Sequence, residues 1–240
     1  MTSSTLARSV TLFRAFLREQ SDPDFFYQTL AADSVGQLRR YVDLRGKRML
    51  DVGGGPGYFA DAFRAAGVAY FGVDPDVGEM SARGGPAAGM IQASGTRLPV
   101  RTGAVEVCYS SNVLEHVSQP WRMAAEMVRV TRPGGTVYIS FTPWLSPWGG
   151  HETAPWHYLG GYRARARYRR RFGHEPKNRY GESLFPVSVA AALRWARRCP
   201  DVDLVDAFPR YHPWWARPVV HLPGLREILM WNLALVLRRR

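Results

Sequence analysis

Cysteine is nearly absent from this chain, which has only Cys108 and Cys199 among its 240 residues. Their spacing matches neither a disulfide framework nor a zinc site, and this excludes a disulfide-stabilised secreted domain. Cys108 lies in an apolar segment, where a packed free thiol is expected. Such cysteine usage fits a reducing compartment, and we predict a cytoplasmic protein.

Long apolar runs are missing as well. Arg8, Arg14 and Arg18 interrupt the N-terminal segment, so the sequence predicts neither a signal peptide nor a membrane-spanning helix there. Near the C-terminus, Ile228 to Leu237 is almost entirely apolar, but these ten residues are too few to cross a bilayer.

Acidic residues are scarce in one region in particular. The net charge is +12, and between Tyr162 and Arg198 basic residues exceed acidic ones by nine, while Arg238 to Arg240 add the other three. The rest of the chain is therefore neutral. Within YRARARYRRRFG, from Tyr162 to Gly173, six arginines would cover most sides of a helix. A solvated helix and a surface that binds anions both explain this pattern.

A glycine-rich turn is the most informative local feature. Met49 to Ala60 reads MLDVGGGPGYFA, which predicts a strand, a tight turn and a helix, with Gly53, Gly55 and Gly57 in the turn. Glycines are needed where backbone must approach a ligand closely. The spacing is GxGxG, not the GxGxxG of dinucleotide sites, and the chain has no GKS or GKT phosphate loop.

An acidic residue closes the next predicted strand. Asp74 lies 23 positions after Asp51, where a carboxylate can accept hydrogen bonds from a ribose diol. With a glycine turn that does not fit a pyrophosphate, the ligand predicted from these residues is an adenosine without a pyrophosphate.

Alternating strand and helix patterns predict an α/β fold, a parallel sheet with helices on both faces. Leu6 to Arg18 and Phe25 to Tyr41 have the apolar spacing of two helices that precede the sheet. The predicted strands are 47–52, 69–73, 88–92, 105–110, 135–142 and 202–208, and the predicted later helices are 57–66, 77–82, 119–130 and 187–198.

Several ordered motifs now point to a family. LDVGGGPG, GVDPD, ASGTRLPV and SNVLEHV, followed by RPGG, cover roughly residues 45 to 142 and together resemble a class I S-adenosylmethionine-dependent methyltransferase. The flanking segments resemble uncharacterised actinobacterial members. The resemblance implies a Rossmann-like seven-stranded sheet with an insert after strand 5. It also implies that WNLALVLRRR forms the antiparallel last strand; attachment to a membrane surface is the alternative.

The resemblance also implies a cofactor site for S-adenosyl-L-methionine. The implied contacts are Asp51, Gly53, Gly54, Gly55, Gly57, Asp74, Pro75, Ser94, Gly95 and Asn112. The glycines and Asp51 would surround the methionine moiety, Asp74 the ribose, and the Ser94 region the adenine, although relatives commonly carry Asp at position 94. Asn112, Glu115 and His116 would lie on a loop that borders both cofactor and acceptor.

The same resemblance sets the expected domains. Residues 1–44 are predicted to form an N-terminal helical lid, and residues 45–240 the methyltransferase domain, with an aromatic and basic insert at about 143–185. The insert and the segment after the sixth predicted strand both leave the C-terminal edge of the sheet, so their aromatic residues either converge over the methyl group or form the core of a lid. Their aromatic residues are Trp144, Trp148, Trp156, Tyr158, Tyr162, Phe208, Tyr211, Trp214 and Trp215.

Histidines supply the candidate catalytic groups. His151 follows two glycines at the start of the insert and is predicted to act as a general base or to orient the acceptor. His157 and His116 are the further candidates, and a hydrogen-bonded structural role is the alternative for each. His151, Glu152 and His157 lack HExxH spacing, so no metal is predicted.

These features predict a methyltransferase that acts on a small or amphiphilic molecule, most readily at oxygen, with an anionic group on the acceptor left open. An RNA methyltransferase that uses the basic region 162–198 is the main alternative, because basic and aromatic residues together bind nucleic acid. The loop SSNVLEH lacks the Pro-Pro-aromatic pattern of enzymes that methylate nucleobase amino groups. A non-catalytic regulator that binds the cofactor is the lesser alternative. Oligomeric state is not predicted.

Overall fold

The structure is a computed structural model that describes residues 4–19 and 21–240, so residues 1–3 and 20 of the predicted lid lie outside the described residues. In the described part of the chain, seven strands form one sheet. They are β1 (Arg48–Val52), β2 (Ala69–Asp74), β3 (Met90–Gln92), β4 (Val105–Ser111), β5 (Thr131–Phe141), β6 (Val202–Pro209) and β7 (Leu233–Arg239).

The sheet has the order β3-β2-β1-β4-β5-β7-β6. Strands β1 to β5 pair in parallel, while β7 is antiparallel to both of its neighbours, β5 and β6. The predicted antiparallel last strand is therefore confirmed. Leu233 to Leu237 are all buried, because layers cover both faces of the sheet there, and this explains the unbroken apolar run.

Helices flank the sheet and connect its strands. They are α1 (Leu6–Phe16), α2 (Pro23–Leu38), α3 (Ala60–Ala65), α4 (Val77–Met80), α5 (Pro120–Val130), α6 (Gly161–Phe172), α7 (Val189–Arg198) and α8 (Leu225–Leu229). Thr5 and Asp22 accept the N-terminal hydrogen bonds of α1 and α2. Helix α3 begins later than predicted, because the glycine turn extends to Gly57, whose φ is +82°. None of the described helices has the length and apolarity needed to cross a bilayer.

One buried arginine ties the N-terminal helices to the carboxyl half of the sheet. The guanidinium of Arg210, just after β6, donates to the hydroxyls of Ser34 on α2, Tyr109 on β4 and Ser140 on β5, at 2.7, 3.1 and 2.6 Å. Hydroxyl groups thus accept hydrogen bonds from both terminal nitrogens of a guanidinium on a residue that is only 1% exposed. This network holds α2 against the strands whose ends form the site.

The insert follows β5 and contains more regular structure than the sequence predicted. Two short 3₁₀ helices, His151–Thr153 and Trp156–Leu159, precede α6. The end of the insert returns to the loop after β4, where the backbone amide of Phe185 donates to the carbonyl of Glu115 at 2.8 Å. The insert therefore packs against the carboxyl end of β4, beside the crevice where parallel sheets bind ligands.

Candidate active site

The glycine turn after β1 leaves open space on one side. Gly55 has a φ of +50°, and a Cβ built there would meet no atom within 4 Å. At Gly53 the φ is +81°, and a Cβ would lie 2.3 Å from Cγ2 of Val113. Gly53 is thus required for packing against the loop after β4, whereas Gly55 borders the space in which a ligand can approach the backbone.

Asp74 lies at the end of β2, beside this turn. Its carboxylate accepts hydrogen bonds from the backbone amides of Gly55, at 3.0 Å, and Asp76, at 2.9 Å. Burial raises the pKa of Asp74, and the two amides oppose that shift. Asp74 therefore fastens the glycine turn to β2 and places a carboxylate at the crevice.

Asp51, the predicted contact to the methionine moiety, is buried at the end of β1. Its side chain is 2% exposed, and its Oδ2 accepts a 2.7 Å hydrogen bond from the hydroxyl of Tyr70. Burial raises the pKa of Asp51 to about 7. The structure thus gives Asp51 a contact beneath the turn, and its predicted contact with the methionine moiety stays a prediction.

The other predicted cofactor residues lie around the same strand ends. The carbonyl of Pro75 accepts from Nε2 of Gln92 at 3.3 Å, and Gly54 approaches Met90 and Tyr70. Ser94 is exposed and its hydroxyl bonds that of Thr96 at 2.9 Å, while Gly95 packs near Val52 and Met123. These residues are arranged along the β1 to β3 side of the crevice.

Asn112 connects the glycine turn with a large cavity. It follows β4 with a φ of +57°, and it precedes Val113, the residue that Gly53 packs against. Its Oδ1 accepts from Nδ2 of Asn232 at 2.7 Å, and its Nδ2 donates to the hydroxyl of Tyr211 at 3.2 Å. Asn112 also lines the cavity, so the turn and the cavity are neighbours.

The cavity has a volume of about 580 Å³ and we refer to it as the aromatic cavity. Its apolar and aromatic lining consists of Leu12, Phe16, Phe26, Tyr27, Leu30, Trp148, Tyr211 and Trp231. Its polar lining consists of Glu19, Asn112, Glu115, His116, Thr142, His151, Glu152, Lys177 and Asn178. Mostly apolar walls with a few convergent polar groups are typical of a binding site for a small molecule.

Glu115, His116 and His151 meet at one part of the lining, and we call them the histidine cluster. The rings of His116 and His151 have centroids 5.0 Å apart. Nδ1 of His116 lies 2.8 Å from the carbonyl oxygen of Ser183, and Oε1 of Glu115 accepts from the amide of Thr142 at 2.9 Å. Two of the three predicted catalytic histidines are thus brought together.

Burial changes the protonation of this cluster. It lowers the pKa of His151 to about 3, and the neighbouring imidazoles of His116 and His157 contribute to the same shift. It also raises the pKa of Glu115, although His116 and the amide of Thr142 oppose this. The imidazole of His151 is therefore neutral near pH 7 and available to accept a hydrogen bond.

His157 lies outside the lining of the aromatic cavity. Its ring is fully buried, its Nε2 lies 3.1 Å from the carbonyl oxygen of Ser146, and it packs against Trp144 and Tyr158. A Cβ on Gly150 would approach the ring to 2.5 Å. These contacts give His157 a packing role inside the insert.

Only part of the predicted aromatic wall lines the cavity. Trp148 and Tyr211 do, whereas the side chains of Trp156, Tyr162, Trp214 and Trp215 are exposed. An N-terminal helical lid was predicted from the sequence, but not which residues of α1 and α2 line the cavity, nor the contribution of Trp231. Their apolar periodicity was visible, but nothing in it distinguished residues that pack in a core from residues that line a cavity.

The sheet order, the reversed β7 and the glycine turn define a class I methyltransferase fold. Residues 50–139 match a family model described as a methyltransferase domain. An uncharacterized methyltransferase of Mycolicibacterium gilvum is 54% identical, with 98% of this chain and 95% of the relative covered. One of Mycobacteroides abscessus is also 54% identical, over 99% of this chain and 96% of the relative.

A solved structure agrees with the fold. The S-adenosylmethionine-dependent methyltransferase of Mesorhizobium loti superposes with a TM-score of 0.60 at 18% identity, over 87% of this chain and 98% of that one. The chain belongs to the class I S-adenosylmethionine-dependent methyltransferases. Its residues fit this cofactor, because Gly55 borders open space and Asp74 offers a carboxylate beside it.

Proposed function

We propose that this enzyme methylates a hydroxyl oxygen of a small or amphiphilic molecule that binds in the aromatic cavity. The observation that carries the proposal is the convergence of Glu115, His116 and His151 at one part of a lining that also contains six aromatic side chains. A volume of about 580 Å³ suits a small molecule or one end of an amphiphile. S-adenosyl-L-methionine would supply the methyl group from its positively charged sulfur and leave as S-adenosylhomocysteine, and the hydroxyl proton would be released to water.

The lining supports a neutral acceptor more than an anionic one. Its charged groups are three carboxylates, from Glu19, Glu115 and Glu152, and one ammonium, from Lys177, which already pairs with Glu79 at 3.1 Å. A carboxylate or phosphate on the acceptor would meet like charge here, whereas a hydroxyl can donate a hydrogen bond to the cluster.

In this proposal His151 orients the acceptor. General bases work best when their pKa lies near the working pH, and a value of about 3 makes this imidazole a weak proton acceptor. Its Nε2 is nevertheless buried and has no hydrogen-bond partner among the described residues, so it can hold a hydroxyl in place. Correct placement of the reacting oxygen accounts for much of the rate of a methyl transfer.

The basic region favours the small-molecule function over the RNA alternative. Arg165 pairs with Glu175 and Glu182 at 2.8 Å each, and Arg167 stacks over the ring of Trp156 at 3.9 Å. Arg179 pairs with Glu182 as well, at 3.2 Å. Contacts within the insert thus already engage several of the charges that would have to bind phosphates.

The test is a labelling experiment. Purified enzyme and methyl-labelled S-adenosylmethionine are incubated with an extract of the producing cells, which is then separated into lipid, small-molecule, RNA and protein fractions. We expect label in the lipid or small-molecule fraction, in a product whose mass spectrum and NMR spectrum show a new O-methyl group. Label confined to RNA or protein, or a new N-methyl or C-methyl group, would contradict the proposal.

A further inference from the structure

The histidine cluster has the composition and spacing of a metal site. One potential ligand atom from each of Glu115, His116 and His151 lies within 4.8 Å of the other two. No metal was predicted from the sequence, because only the spacing of His151 relative to its near neighbours Glu152 and His157 was considered. The residues that converge instead come from the loop after β4 and from the insert.

Each residue of the cluster keeps a free lone pair. Oε1 of Glu115 is used by the amide of Thr142, but Oε2 is buried without a hydrogen-bond partner among the described residues, on a side chain that is 1% exposed. Nε2 of His151 is likewise buried and unpartnered in the described chain. Buried polar atoms of this type destabilise a protein unless something binds them.

His116 is oriented as metal-binding histidines usually are. Its Nδ1 lies 2.8 Å from the carbonyl oxygen of Ser183, and a carbonyl only accepts, so Nδ1 carries the hydrogen. Nε2 therefore keeps its lone pair. A histidine ligand commonly donates its other ring N–H to a backbone carbonyl, which fixes both tautomer and ring orientation.

The backbone conformation of His151 also supports a ligand site. His151 has a φ of +47°, in the left-handed region that non-glycine residues adopt infrequently. This conformation puts its imidazole 5.0 Å, centroid to centroid, from that of His116. Residues in such backbone conformations cluster at ligand sites, and here the side chain completes a group of one buried and two half-buried potential ligands.

We infer that Glu115, His116 and His151 bind a divalent transition-metal ion of the zinc class. Two imidazole nitrogens and one carboxylate oxygen suit Zn²⁺, Co²⁺ or Fe²⁺, whereas Mg²⁺ and Ca²⁺ prefer oxygen ligands. Three protein ligands leave at least one coordination position open toward the aromatic cavity. With the ion bound, the acceptor's hydroxyl oxygen would bind the ion there instead of donating to Nε2 of His151, and this second part rests on the proposed function.

The test measures metal binding directly on the purified full-length chain. Protein treated with EDTA and dialysed is titrated with Zn²⁺ by calorimetry, and with Co²⁺ by visible absorption, whose d–d bands report low coordination number. We expect one ion per chain. His151→Ala and the nearly isosteric Glu115→Gln should each weaken binding by about 10- to 100-fold or more, because even outer-shell changes have effects of that size.

Matched controls separate ligand loss from unfolding and from chance binding. His174 is exposed and lies in the insert, so His174→Ala should leave Zn²⁺ affinity unchanged. Each variant should bind S-adenosylhomocysteine like the wild type. Unchanged Zn²⁺ affinity in Glu115→Gln and His151→Ala, or equal weakening in His174→Ala, would overturn the metal site.

The result of the metal-binding test does not depend on which acceptor the enzyme methylates. If no ion binds and EDTA-treated enzyme still forms an O-methyl product, the metal site is wrong and the proposed function stands. If one ion binds through the cluster but the labelled product carries no O-methyl group, the metal site stands and the proposed function is wrong.

Discussion

The imidazoles of His116 and His151 lie with ring centroids 5.0 Å apart, although 35 residues separate them in the sequence. One belongs to the loop after β4 and the other to the insert after β5, so the pair exists only because β4 and β5 are parallel neighbours whose carboxyl ends meet. Two groups with lone pairs are thereby placed in the lining of a cavity that adjoins the glycine turn.

His151→Ala should lower the turnover of methyl transfer by about 10²-fold, because the acceptor would lose the group that holds its hydroxyl in place. Affinity for S-adenosylmethionine should be nearly unchanged. Initial rates with the labelled acceptor fraction and calorimetry with S-adenosylhomocysteine measure the two effects. Full turnover in His151→Ala would leave His151 with a structural role only.

Gly55→Val should abolish cofactor binding. A valine side chain would fill the open space beside the turn, and its branched Cβ fits a φ of +50° poorly. Gly134→Val is the matched control. Gly134 has a φ of +73°, and a Cβ built there also meets no atom within 4 Å. It lies near the start of β5, whereas the candidate site lies at the carboxyl end of that strand. Calorimetry should show wild-type affinity in the control, and binding by Gly55→Val would contradict the predicted site.

Asp74→Ala should weaken cofactor binding by about 1 to 3 kcal/mol, which is the effect of removing a charged hydrogen-bonding partner. The variant loses its predicted contacts to the ribose and also the bond that fastens the amide of Gly55. Asp76→Ala serves as a control, because the Asp76 side chain caps α4 through Gly78 and Glu79. Equal affinity of wild type and Asp74→Ala for S-adenosylhomocysteine would rule out the ribose contact.

Replacing Arg167, Arg169, Arg170 and Arg171 together with glutamine should leave cofactor affinity intact. An RNA-binding surface would also require tight, steeply salt-dependent RNA binding in the wild type, because each phosphate contact releases counterions. We expect only weak, non-specific retention of RNA in a filter-binding titration. Specific binding at physiological salt that the four substitutions weaken would favour the RNA methyltransferase instead.

Asp51→Asn should change how stability depends on pH. The pKa of Asp51 is raised to about 7 in the fold, so between about pH 4 and pH 7 the folded protein holds a proton that the unfolded chain has lost. The wild type should therefore lose stability as pH rises through this interval, by up to about 1.4 kcal/mol per unit from this group. The asparagine variant can still accept the bond from Tyr70 but does not titrate.

Urea unfolding of cofactor-free protein at pH 5, 6, 7 and 8 measures this effect. The free energy of unfolding of Asp51→Asn minus that of the wild type should grow from pH 5 to about pH 7 and then level off. A difference that stays constant with pH would mean that Asp51 ionises in the fold as it does in the unfolded chain.

Much of the fold could be predicted because its signals are local. The strand at 105–110 and the helix at 119–130 were predicted within a few residues, since apolar spacing is set by the pitch of each element. The helix after β1 was predicted to begin at residue 57 but begins at Ala60. The end of a glycine turn and the first turn of a helix are not distinguished by their sequence pattern. The 3₁₀ helices of the insert carry no comparable periodicity.

The residues of the candidate site also differ in how far they could be predicted from the sequence. The glycine turn and Asp74 were predictable, because a positive φ at Gly55 and a carboxylate at a strand end depend on neighbours in the chain and on the parallel sheet. Glu115 was recognised only as part of a motif. Oε2 of Glu115 has no partner because the amide of Thr142 donates to Oε1 instead, and no sequence pattern specifies where that amide lies.

The sequence by itself determined the α/β class and the family, because short-range backbone preferences and hydrophobic periodicity act over a few residues. Only the tertiary structure decided that His116 joins His151 while His157 packs against Trp144, and that α1, α2 and Trp231 wall the cavity. Those contacts link distant parts of the chain, and their geometry follows from how whole elements pack, which local sequence does not specify.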